Sequence, residues 1–119
     1  MIRVVYYKDD DGSVPVLDFI GEVPDRAKVK IIARIDRLRL LGHQLRRPEA
    51  DHLGEGIYEL RTKLGHVNYR VLYFFHGQVA AVLSSGFTKE AVVPPAEIQR
   101  ARQRMAKFAS APKTHTFEE

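Results

Sequence analysis

Arg61 and Arg70 lie inside "GIYELRTKLGHVNYRVLYFF" (56–75), a stretch otherwise apolar and aromatic enough to form two paired strands. Side chains alternate between the two faces of a strand, which puts Arg61 with Ile57, Glu59 and Lys63, and Arg70 with Asn68, Leu72 and Phe74. The short "LGH" connection then brings Arg61 and Arg70 together on the face expected to lie away from the helices. Two guanidiniums held side by side on a rigid sheet repel unless an anion sits between them, and their forked donors match the oxygens of a phosphate. Two readings follow: an anion site built on Arg61 and Arg70, or an ordinary polar sheet face on which Glu59 pairs with one of them. His66, in the turn, adds the side-chain type best suited to proton transfer near neutral pH, although a turn imidazole can also be simply solvated.

Other chemistries are poorly supplied. With no cysteine there can be no disulfide framework, thiolate metal site or cysteine nucleophile. His43, His52, His66, His76 and His115 lack the spacing of metal ligands, so neither metal nor other cofactor is expected. "GEG" (54–56) precedes a strand, whereas phosphate-cradling glycine loops precede a helix.

The elements that must position these residues can be read along the chain. "IRVVYY" (2–7) is β-branched and aromatic, hence a strand. Ser13 as a cap and Pro15 in the first turn open a short helix through "VLDFIGEV". Pro24 opens a longer one, in which Ala27, Ile31, Ile35, Leu38 and Leu41 recur every three or four positions until Gly42 ends it. Residues 43–56, with Pro48 and two glycines, read as a loop with at most one helical turn. Strands follow at 57–63, 67–75 and 78–85, the last two joined by a tight turn at "HG". A helix at 95–109 precedes a polar tail, 110–119, expected to fray. The fold class is therefore α+β: a small antiparallel-rich sheet with an N-terminal strand, two N-terminal helices on one face and a C-terminal helix.

At 119 residues, 45% hydrophobic and 29% charged, the chain fits one compact domain, 1–109, plus the tail. No run is apolar enough to span a bilayer and the N-terminus does not resemble an export signal, so a cytoplasmic location is expected. Charge is unevenly distributed. Between Pro24 and Arg47 eight basic residues face two acidic ones, a local excess of six within a net charge of +4. Such a cluster attracts polyanions, nucleic acid above all, or serves only as a solvated helix face.

The order "YELR", "YR-hydrophobic-hydrophobic-Y", "F-x-K" and a helix starting "P-x-E-I" resembles the RelE/ParE superfamily of bacterial toxin–antitoxin toxins, in its HigB-like and phage-derived branch, over about residues 2–108. The resemblance implies a RelE-like fold and a metal-independent endoribonuclease that cuts mRNA on translating ribosomes. It also implies a silencing antitoxin, often a helix-turn-helix protein. Family positions for basic site residues match Arg61, Arg70 and Lys89. In such a reaction the RNA 2′-hydroxyl attacks the neighbouring phosphate, which needs a base, an acid and cations for the developing charge. Arg70 and Lys89 suit charge stabilisation, and Arg61 suits backbone positioning. Where several relatives carry Tyr or His near the chain end, this chain has Val92, Val93, Pro94 and Pro95, leaving Glu59, His66, Tyr69 and His76 as candidates for proton transfer. Arg34, Arg37, Arg46, Arg47 and Lys63 are the expected RNA contacts. The alternatives are a ParE-like, non-catalytic gyrase inhibitor and a phage relic that retains only antitoxin binding.

Overall fold

A computed structural model describes residues 1–77, 80–88 and 92–118. Strand β1 (Arg3–Tyr7) leads into helices α1 (Pro15–Glu22) and α2 (Asp25–Leu41). A 3-10 turn (Gly42–Gln44) follows, then β2 (Ala50–Gly54), β3 (Ile57–Leu64), β4 (Val67–His76) and β5 (Ala80–Thr88). Helix α3 (Pro95–Ser110) and a two-residue strand β6 (Thr116–Phe117) complete the chain. The sheet has the order β2-β3-β4-β5-β1-β6, antiparallel throughout except where β1 lies parallel to β5. The expected α+β class is what forms.

The periodic residues of α2 form its buried face, with Ala27, Ile31, Ile35 and Leu38 packed with Val16 and Ile20 of α1 against Leu60, Tyr69, Val71 and Tyr73 of the sheet. Gly42 ends α2 with φ +54°, where it also approaches Ile2 closely, so a Cβ at this position would meet both backbone and steric strain. Ser13 does not cap α1. Its hydroxyl and amide both bond to Asp11 in the preceding turn, and Val14 occupies the cap position.

Three expectations change. The opposite face of the sheet is not bare: Val5, Tyr7, Ile57, Leu72, Phe74 and Val82 form a second core with Ala101 and Phe108 of α3. Arg61 and Arg70 therefore lie on the face away from α1 and α2, but on the same side as α3. Part of the segment read as loop is β2, an edge strand paired with β3 from Ala50↔Leu60 to Gly54↔Ile57. The tail does not fray: Thr116 and Phe117 pair with β1, and His115 is buried, its ring stacked on Tyr7 at 5.1 Å. Among the described residues no helix is long and apolar enough to cross a membrane.

Candidate functional site

The β3–β4 hairpin sets Arg61 directly opposite Arg70, as alternation and a short turn require. The anion between them is the protein's own. Glu59, with no exposure to solvent, accepts from Arg70 Nη1 through both carboxylate oxygens (2.8 and 2.9 Å) and from Arg61 Nε through Oε1. Of the two readings of this face, the internal ion pair is thus present, and Glu59 joins both arginines rather than the expected one.

The network continues to the sheet edge. Arg61 Nη2 lies 3.1 Å from Asp51, which is itself gripped by Arg47 through two 3.0 Å bonds. The Arg47 guanidinium holds the Asp51 carboxyl below its usual range, against the opposing effect of burial. Among the described residues the resulting chain, Arg47–Asp51–Arg61–Glu59–Arg70, carries three cations and two carboxylates. It runs from an exposed end at Arg47 to a buried end at Arg70, 8% exposed.

Not every expected residue joins this cluster. His66 is exposed in the hairpin turn, four residues along the chain from Arg70 and hence about 13 Å along the strands from the Arg61↔Arg70 pair. Tyr69 is buried on the opposite face against Phe19, and His76 packs edge-on to Phe108. Lys89 lies outside the described residues.

The expected RNA contacts fall into two groups. Arg37 and Arg34 turn inward onto Glu49, Arg37 through two 2.9 Å bonds and Arg34 through one. Arg37, followed by Arg34, lowers the Glu49 carboxyl to about 2 despite its partial burial. The Glu49 carbonyl meanwhile accepts the Arg61 amide at 2.9 Å, so one residue ties α2 to β3. Beside it lies an open groove of about 380 Å³ lined by Lys30, Arg34, Arg37 and Lys63. Arg47 is engaged by Asp51, whereas Arg46 and Lys63 are exposed and make no ion pair among the described residues.

Residue type and spacing do not single out Asp51 and Glu49. Their roles depend on β2 and the turn before it, a region whose Pro48 and glycines mask its strand character. The signal for the second core is present in the sequence: Ile57, Leu72 and Phe74 alternate with the other apolar set, a pattern that requires burial on both faces.

Compared with protein families, the chain matches the family described as phage derived protein Gp49-like (DUF891) over residues 18–106. No curated protein matches the chain.

Proposed function

The chain belongs to the Gp49-like family of phage-derived proteins, within the RelE/ParE-like toxin superfamily, and on that footing we propose that it is the toxin of a type II toxin–antitoxin pair that cleaves mRNA on the ribosome. The observation that carries this reading is the direct pairing of Arg61 with Arg70 in a "YELR…NYR" hairpin. Cleavage proceeds by attack of the RNA 2′-hydroxyl on the adjacent phosphorus, with departure of the 5′-oxygen and no metal. Arg70 and Arg61 offset charge developing on the phosphate oxygens, and Lys89 joins them in that role. Glu59 is a positioning residue: its oxygens are occupied by guanidinium bonds and it has no access to water, so it holds the two forks in register. Lys30, Arg46 and Lys63 attract the RNA backbone, and a helix-turn-helix antitoxin is the partner that silences the toxin.

A specific observation favours a second reading. The sheet arginines are already paired with Glu59 and Asp51, as suits a ParE-like protein that inhibits DNA gyrase by binding alone.

The discriminating experiment maps 5′ ends on a reporter mRNA after brief expression in bacteria, with and without its start codon. New ends at codon spacing, lost with the start codon, are expected. Growth arrest with no new ends would replace the nuclease by the gyrase-type binder.

A further inference from the structure

At the β2 edge of the sheet a series of rings runs from the core to the surface. Tyr73, 1% exposed, stacks with Tyr58 (centroids 5.4 Å apart, planes 23°), and Tyr58 stacks with His52 (4.5 Å, 28°). Phe75 stands edge-on to both tyrosines and carries His43 stacked on it at 3.8 Å. The inner rings are explained by packing. The outer two, His43 and His52, are exposed, so each stack ends in an imidazole at the protein surface.

Both imidazoles line a cleft of about 460 Å³, together with Arg46, Arg47, Asp51 and Tyr58. Arg47 is bound to Asp51, whereas Arg46 has no ion pair among the described residues. The cleft therefore combines planar rings with an exposed, unneutralised guanidinium. An unpaired nucleotide supplies the complement of each: a base with a π-face, and a phosphate. Base stacking on aromatic rings needs no base-specific hydrogen bonds, and the cleft would suit a strand of varied sequence. Asp51 both lines this cleft and bonds to Arg61, so one carboxylate separates it from the sheet arginines.

We propose that this cleft is a stacking site for one unpaired base of single-stranded RNA, seated against His43 and His52 with its flanking phosphate on Arg46. The proposal rests on the RNA-directed reading above and assigns the nucleotide contact to residues outside the sheet arginines.

The test uses the full chain and a five-residue oligoribonucleotide with 2-aminopurine at its centre, whose fluorescence falls when the base stacks. Quenching on titration with the protein is expected. The double variant His43→Ala/His52→Ala should bind about tenfold more weakly, and an oligonucleotide abasic at the centre should be weakened by a similar factor against the parent. His52→Phe keeps a ring at that position and should retain binding, which separates stacking from a general loss of structure. Equal affinity for the intact and abasic strands, or full affinity in the double variant, would overturn the proposal. A cleft occupied instead by a protein segment would leave the fluorescence unquenched and likewise overturn it. The mRNA mapping fails independently: codon-spaced ends without quenching discard the stacking site and keep the nuclease, whereas quenching without new ends keeps the site and discards the nuclease.

Discussion

Glu59 decides what its two neighbours can tolerate. A carboxylate removed from water with guanidiniums on either side is stable only while its hydrogen bonds are made. Arg70, itself nearly buried, is the partner whose removal leaves the most charge uncompensated. Arg70→Ala should lower unfolding stability by about 3–5 kcal/mol, read as a shift in the urea midpoint. An unchanged midpoint would mean that Glu59 does not need Arg70. Arg61 is different: its side chain is 39% exposed, water can replace its contacts, and Arg61→Ala should cost only about 1 kcal/mol. Loss of toxicity in Arg70→Ala would therefore report folding as much as chemistry. Arg61→Ala and Arg70→Lys are the better probes, the latter keeping the charge while removing the fork. Folded protein of either variant with full mRNA cleavage would remove that side chain from the proposed site.

Between elements, Glu49 joins α2 to the β2–β3 edge through Arg34 and Arg37. Its carboxyl, lowered to about 2, binds its proton less readily in the folded chain than in the unfolded one. The stabilisation is thus fully present above the ordinary carboxylate value of 4.5 and is lost as pH falls from there toward 2. Glu49→Gln should destabilise by about 1–2 kcal/mol at pH 7, with the gap to the parent narrowing by pH 3 in urea titrations. A gap that stays constant would assign the effect to packing. The same elements explain what can be read from sequence. The apolar repeat of α2 and the alternation in β3 and β4 are long enough to reveal both the elements and the Arg61–Arg70 encounter. Strand β2 is five residues at an edge, preceded by Pro48, and its register with β3 shifts between His52 and Gly54, so no alternation runs long enough to reveal it. Asp51 and the exposed imidazole of His52 depend on that strand, so they stay hidden with it. The order in the tail is illegible for a related reason: its polar composition does not reveal that His115 fills a place beside Tyr7.

Across the whole molecule, the net charge of +4 understates how selectively positive charge is presented. Arg34 and Arg37 share Glu49, Arg39 pairs with Asp36 and Arg47 with Asp51, whereas Lys30, Arg46 and Lys63 make no ion pair among the described residues. Basic residues already paired inside the protein must give up a carboxylate before they can bind a phosphate, and release fewer counterions when they do. The salt dependence of RNA binding should accordingly follow the unpaired set. In co-sedimentation with ribosomes across a series of salt concentrations, Arg46→Ala/Lys63→Ala should flatten the plot of log affinity against log salt by about 0.7 for each single-strand phosphate that is no longer neutralised. Arg37→Ala should change that slope less, because both of its bonds engage Glu49 and it must release that carboxylate before it can bind a phosphate. The opposite ranking, with Arg37→Ala flattening the plot and the double variant behaving like the parent, would show that the Glu49 tie opens on binding and that α2 itself is the RNA-facing surface.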